Sequence, residues 1–454
     1  MPARKYHVQV SPGLLEDDVL IVGESVLKKS KIPLRSQAVL QFGAFRQPVR
    51  VTLTAKHDGV RISQGLARKM GFVPDGPLRL RYQPDTGTLA IGPLIGVLVS
   101  RDYPLLRDRP FGAITAFCRE LTAACRQQGA YVYFFTPQGI GSSPGWVEGW
   151  LYRGEWQRLR LPAPDVLNNR LTQRRLEGQA SVQRFMRELK QRYGGHVFNE
   201  KFLDKTEVFE ALETDLSLRH LLPESRALRG LSTLRHMLAR YPVVFLKPTR
   251  GSLGKGIIRL ARIGPERWQA SFTTVNGIRT VTYPSLTRLF HALAGKIKSV
   301  RYLAQQGLNL IGIGGRPVDF RVLVQKNTSG QWTVTSVVAR IANGQQYVSN
   351  VARGGTLSPA RDAIARSNLP ADRRRNATTR LRKAALDIAR GLDSRIPAHF
   401  GELGIDLGMD TDGRIWLLEV NSKPSKNDNT SLREGKIRPS VRMMVQYACY
   451  LSGF

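Results

Sequence analysis

The chain is poor in cysteine, with three in 454 residues. Cys118, Cys125 and Cys449 are too few for a disulfide framework or a zinc site, which leaves buried thiols as their expected state. Acidic residues are scarce too: 35 Asp and Glu stand against 69 Lys and Arg, a formal charge of +34. That imbalance predicts attraction to polyanions, whether nucleic acid, an acidic polypeptide or an anionic polymer, without choosing among them. Long apolar runs are missing. The stretch Leu89 to Val99 is short and broken by Gly92, Pro93 and Gly96, whereas a bilayer span needs about 20 apolar residues. Met1 to Val10 is polar and basic, unlike a secretory leader. No membrane insertion and a cytoplasmic location are therefore expected.

What is present is a 42% apolar content, enough for a large core and, at this length, about three domains. Residues 1–90 read as a small β-rich module, with strand-like runs at Ala38–Phe42, Val49–Leu53, Leu78–Tyr82 and Thr88–Ile91 and a helical pattern over Ser63–Met70. Asp58-Gly59 and Asp85-x-Gly87 supply turn signals of the hairpin type. The basic residues of this module, such as Arg46, Arg50 and Arg61, come without an aromatic platform and read as a solvated face. Residues 91–195 alternate strand and helix: strand Ile95–Ser100, helix Phe111–Gln127, strand Ala130–Phe135, strand Asp165–Asn168 and helix Ala180–Tyr193. That alternation predicts a parallel α/β sheet.

From about residue 196, Lys205 opens a helix, and Tyr241-Pro-Val-Val-Phe-Leu-Lys247-Pro248 is a strand ending in lysine. The loop after it, Thr249-Arg-Gly-Ser-Leu-Gly-Lys-Gly256, holds Gly251, Ser252, Gly254, Lys255 and Gly256. Its backbone N–H groups are suited to wrapping phosphate oxygens, although a plain turn between strands has the same composition. It is not a Walker A loop, because Lys255 precedes Gly256 rather than Ser or Thr. Further on come strands Arg316–Gln325, carrying Arg321, and Trp332–Ile341, carrying Arg340; then Asn350 before Gly354-Gly355; and a basic amphipathic helix over 370–395 whose apolar positions are Leu381, Ala385, Ile388 and Leu392.

The stretch Gly404 to Pro424 reads as a β-hairpin. With Asp412-Gly413 as a two-residue type I′ turn, Asp406 falls opposite Glu419, and Glu419 and Asn421 share a strand face with Leu417. Two carboxylates across a ladder repel, and with an adjacent amide oxygen they form a donor set that a hard divalent cation such as Mg2+ (or Mn2+) accepts. A solvated polar strand face is the other reading of the same residues.

The motifs Leu-Lys247-Pro with Gly-Ser-x-Gly-Lys-Gly, Gly-Arg-Pro-x-Asp-x-Arg321, and Asp406 followed at the right interval by Glu419-x-Asn421 occur in an order that resembles the ATP-grasp superfamily. The flanking Gln305-Gln-Gly-Leu308, Ala-Arg340-Ile-Ala, Asn350-Val-x-x-Gly-Gly and Leu-Glu-Val-Asn-Ser-Lys-Pro are most similar to its YheC/YheD family, associated with the endospore coat. The resemblance covers about residues 95–454. It implies an α/β (α+β) architecture: a nucleotide lobe at 196–300 with the Gly-rich lid and a second lobe at 301–454 with the metal site. These would be preceded by the parallel pre-ATP-grasp domain at 91–195 and the β-rich module. It implies ATP and Mg2+ as cofactors, Lys205 and Lys247 on the phosphates and adenine edge, Gln305, Gln306 and Leu308 in the adenine hinge, and Asp406, Glu419 and Asn421 on the metal. Arg321, Arg340 and Asn350 would attend the transferring phosphoryl group. The activity implied is ligation of an unidentified carboxylate, an acidic peptide or polymer being one candidate, with spore-coat proteins as possible partners. A structural coat protein without turnover and a polyanion-binding protein, nucleic acid included, remain as alternatives.

Overall fold

The chain opens with a closed seven-stranded barrel. The structure, a computed structural model, describes residues 4–33, 37–55, 57–141, 143–251, 255–274, 277–344, 355–426 and 436–454. The barrel strands are Lys5–Ser11, Val19–Gly23, Gln37–Phe42, Phe45–Thr54, Gly59–Ser63, Pro77–Gln83 and Thr88–Gly92. Two strand-helix units repeat within it, Val19–Gly23 with helix Glu24–Ser30 and Gly59–Ser63 with helix Gln64–Lys69. They exchange hydrogen bonds. Asp17, just before the first unit, accepts from the Ser63 hydroxyl at 2.6 Å at the start of the second helix, while Asp58, just before the second, accepts from Ser25 in the first.

The Asp58-Gly59 turn does not make a hairpin, contrary to expectation. Gly59–Ser63 pairs instead with Lys5–Ser11 in parallel and with Val19–Gly23. Gly59 serves close approach to strand Lys5–Ser11, since a Cβ on it would lie 2.7 Å from the His7 carbonyl oxygen. Asp85-x-Gly87 does join a hairpin, Pro77–Gln83 to Thr88–Gly92, with Gly87 in the left-handed region at φ 61°.

The second sheet has four parallel strands, Tyr131–Phe135, Leu94–Leu98, Val166–Asn169 and His196–Phe198, in that order. It is not wholly parallel as expected. The hairpin Trp146–Tyr152 with Trp156–Pro162 adds an antiparallel edge, where Trp150 and Trp156 pack against Phe111 and close a cluster that includes Phe134. Helix Thr115–Gln128 and the C-terminal helix Pro439–Leu451 cover one face, burying Cys118, Cys125 and Cys449 as free thiols. Among the described residues no helix is long and apolar enough to cross a membrane.

Two lobes follow. The first is an antiparallel sheet ordered Ser225–Ala227, Tyr302–Gln306, Val243–Pro248, Ile258–Gly264, Arg267–Thr274, Gly277–Tyr283. It is backed by helices Leu231–Arg240 and Leu286–Ser299 through Leu234, Met237, Leu289 and Leu293. The second is ordered Thr356–Pro359, Trp332–Ile341, Arg316–Lys326, Glu402–Met409, Ile415–Asn421. Helix Ala377–Arg395 packs on it, with Leu381, Ala385, Ile388 and Leu392 fully buried. The amphipathic segment is broken rather than continuous. Asn376, at φ 57°, separates a short helix, Ala371–Arg374, from the long one.

Candidate functional site

The hairpin Glu402–Met409 with Ile415–Asn421 sets the two carboxylates across from each other, Asp406 opposite Glu419. The register agrees with expectation, but the path to it differs. The loop runs from Asp410 to Arg414, closed by Asp410 N to Arg414 O at 3.0 Å and by the Asp410 carboxylate accepting from the N–H groups of Asp412 and Arg414, with Gly413 at φ 79°. This longer loop puts Met409 opposite Ile415, and a bulge between Asp406 and Leu407, where Leu418 has no partner, restores the expected pairing. The bulge corrects the expected alternation: Leu418 lines the same cavity as Glu419, while Leu417 and Val420 are in the core.

That cavity, of about 800 Å3, lies between the two lobes. Its charged end is built by cross-strand pairing. Arg321 stands opposite Asp406, and Arg340 opposite Asp319. Arg321 forks onto Asp406, with Nη2 at 3.0 Å from Oδ2 and a second, shorter bond from Nε to Oδ1. Arg340 forks onto Asp319 at 2.6 and 2.9 Å and also reaches Asp406 at 3.0 Å. Burial by itself would raise the Asp406 carboxyl; the Arg321 and Arg340 guanidiniums offset that and hold it below the ordinary carboxylate range. Across the cavity Lys205 donates to Glu419 at 3.0 Å and to the Gly251 carbonyl at 2.8 Å. The expected repulsion between the facing carboxylates is thus neutralised from both sides.

Lys247, at the end of its strand, donates to the Gln305 side-chain oxygen. Burial pushes its ammonium down to about 8, with Glu419 opposing that shift. Gln305 in turn donates to Ser225 Oγ at 2.9 Å, and Gln306 accepts from Glu224 N at 3.2 Å, which fixes the segment bridging the lobes. Gly307 is required there, since a Cβ would fall 2.7 Å from Val243 atoms. Beyond this bridge the wall becomes apolar, with Phe245, Ile257, Leu310 and Leu418.

Ten of the residues singled out from sequence line this one cavity: Lys205, Lys247, Gly251, Lys255, Gln305, Gln306, Leu308, Arg340, Asp406 and Glu419. Gly256, Arg321 and Asn421 do not. Gly256 lies against Pro248, Arg321 reaches Asp406 from outside the wall, and Asn421 stands opposite Gly404 at the strand exit. Ser252, Gly254 and Asn350 lie outside the described residues. Sequence reasoning missed Asp319, although its own motif contains it, and also Arg366, Ser367 and Asn368, which line the cavity from a helix end that carries no motif.

The loop after Asn421 is tied to the parallel sheet domain. Arg170 Nη2 donates to the Pro424 carbonyl at 2.6 Å and Lys423 pairs with Glu177, while Lys426 pairs with Glu402 of the second lobe at 2.6 Å.

A family model described as YheC/D like ATP-grasp matches residues 194–451. The chain is 29% identical over 367 residues to the endospore coat-associated protein YheD of Bacillus subtilis (strain 168), covering 80% of each chain. To YheC of the same organism it is 23% identical over 316 residues, covering 68% of this chain and 85% of YheC. Among solved structures, the D-alanyl-alanine synthetase A of Vibrio cholerae aligns with a TM-score of 0.46 at 11% identity, covering 80% of this chain and 98% of the synthetase. With the family model spanning more than half of its length, both lobes and the hairpin that joins Asp406 to Glu419, the chain belongs to the YheC/D-like ATP-grasp family.

Proposed function

We propose that the protein is an ATP-dependent ligase that activates a carboxylate as its acyl phosphate and transfers the acyl group to an amine or thiol. The observation that carries this reading is the in-register pair Asp406 and Glu419 on a cavity whose other wall supplies Lys205 and Lys247. The apolar end beside Gln305, Gln306 and Leu308 suits adenine, and the lysines with the backbone at Gly251 suit the phosphates.

On the cavity the hairpin offers two carboxylates, Asp406 and Glu419, both oxygen donors, with the Asn421 amide beyond them at the strand exit. That set fits Mg2+ or Mn2+ and argues against a soft metal; among the described residues no three His, Cys, Asp or Glu side chains gather as a metal cluster. Bound there, the ion would neutralise charge on the β- and γ-phosphates. The substrate carboxylate oxygen attacks the γ-phosphorus and ADP leaves with the bridging oxygen. The amine or thiol then attacks the acyl carbon, loses its proton, and inorganic phosphate departs. Such chemistry is positioning and charge neutralisation and needs no Ser, Cys or His nucleophile. Arg340, which lines the cavity, and Arg321, paired with Asp406 from outside its wall, are the cations this reading assigns to that neutralisation. The names of the relatives extend the reading to a role at the endospore coat.

The test is calorimetric titration with a non-hydrolysable ATP analogue, with and without Mg2+, on the wild type and Glu419→Gln. Micromolar binding that needs the metal and weakens at least tenfold in the variant supports the ligase reading. Absence of binding to folded protein sinks it.

A further inference from the structure

A second cavity, of about 300 Å3, opens where the barrel, the parallel sheet and the C-terminal tail meet, and it shares no residue with the first. Gln41 and Arg81 come from the barrel, Asp165 and His196 from the sheet, and Tyr450 and Ser452 from the tail. Two groups of opposite sign are present there, and among the described residues no ion pair engages either. Asp165 accepts from the Leu94 N–H at 2.8 Å. Burial lifts its carboxyl to about 6, although the Leu94 N–H, the charges of Arg81 and Arg46 and a hydrogen bond from the Gln41 side chain all oppose the rise. Arg81 has a buried Nε without a hydrogen-bond partner. Its guanidinium is held over the Phe454 ring, 5.3 Å from the centroid. Gly453 makes room for it, since a Cβ there would lie 2.4 Å from Arg81 Nη1.

A half-buried carboxylate without an ion-pair partner among the described residues and an unsatisfied guanidinium N–H each cost free energy that a complementary ligand would recover. A cation alone answers only Asp165, and an anion alone only Arg81. We propose that this cavity binds a small zwitterion of the α-amino acid class, its ammonium on Asp165 and its carboxylate on Arg81. The volume is at the lower end of the roughly 300–1,000 Å3 of small-molecule sites, which limits the ligand to a compact one. The Gln41 side chain hydrogen-bonds Asp165 and so helps to hold the carboxylate that would receive the ammonium. Because the wall is drawn from three separate parts of the chain, occupancy also ties the tail to the barrel. The site stands apart from the nucleotide cavity, so it does not depend on the ligase reading.

The experiment is calorimetry on the full chain with a panel of L-amino acids. Each is compared with the matched amine and the matched acid, for L-alanine ethylamine and propionate. The titrations are repeated with a saturating non-hydrolysable ATP analogue. The expected result is saturable binding of at least one amino acid in the micromolar to millimolar range, at least tenfold weaker for its amine and acid, and unchanged by nucleotide. Asp165→Asn and Arg81→Gln should each weaken it at least tenfold. The analogue comparison on the wild type holds whether or not those variants fold. No saturable binding across the panel, equal binding of amine and amino acid, or competition with nucleotide would each overturn the assignment.

Discussion

Asp406 and Glu419 face one cavity under different constraints, and substitution separates them. Asp406 is held by two guanidiniums and is 5% exposed, so Asp406→Ala strands buried positive charge. Loss of one partner from a buried pair costs about 3–5 kcal/mol, and the variant is expected to unfold at clearly lower denaturant. Among the described residues Glu419 makes a single ion pair, with Lys205. Glu419→Gln keeps a hydrogen-bonding oxygen, and a cost of about 1 kcal/mol or less is expected. Parallel urea melts check both, and they identify Glu419 as the cleaner probe of metal-dependent nucleotide binding.

Lys247 supplies a pH prediction. Its folded pKa, about 8, lies below the ordinary lysine value of about 10.4. Between those values the unfolded chain binds more protons, so this group makes the protein more stable as pH rises from 8 toward 10. Phosphate binding favours the charged ammonium and should draw a proton in. At pH 8.5, titration of the ATP analogue in buffers of different ionisation enthalpy should therefore show net proton uptake, absent in Lys247→Met. Equal uptake in the two proteins would remove Lys247 from the phosphate site. Of these residues the sequence made the carboxylate pair legible through strand alternation and a turn signal. Asp319 stayed hidden because a buried, paired aspartate reads like a solvated one until its partner Arg340 is seen across the ladder.

At the scale of elements, the hairpin shows how two local errors can cancel. A two-residue turn at Asp412-Gly413 predicts the observed pairing of Asp406 with Glu419, yet the loop is longer and the bulge at Leu418 takes up the difference. Alternating polarity marks a strand but not a bulge within it. Gly413, at φ 79°, occupies a conformation that costs an L residue about 1 kcal/mol or more. Gly413→Ala is expected to lower the unfolding free energy by that amount while leaving nucleotide affinity within twofold, because the bulge lies between the loop and the carboxylates. A large loss of affinity would show that the loop sets the register. The barrel strand Lys5–Ser11 was missed although Tyr6 and Val8 alternate with exposed neighbours. Its partners lie 50 residues or more away in sequence, and nothing local announces them.

For the whole molecule, charge dominates. With +34 over the chain, non-specific affinity for double-stranded DNA should fall steeply with salt, roughly linearly in a log-log plot, and show no sequence preference. Filter binding of two unrelated duplexes between 50 and 300 mM salt reads this directly. A salt-resistant, sequence-dependent component would instead favour nucleic acid as the physiological partner. The lobes were expected from the order of their motifs, through the family resemblance, rather than from the patterning of each element: strand Glu402–Met409, for one, is buried along its whole length and shows no alternation. The assembly of barrel, sheet and tail was not legible, because it depends on pairings between distant segments.

The barrel's strand order has a consequence for cleavage. Lys5–Ser11 is flanked on both sides by strands that follow residue 58, and Gly59–Ser63 on both sides by strands that precede it. The hydrogen bonds of Ser63 to Asp17 and of Ser25 to Asp58 repeat the same crossing. A protease that nicks the connection between Thr54 and Gly59 would therefore yield two pieces that are threaded through one another. They should travel as one particle in native gel filtration and separate only in denaturant.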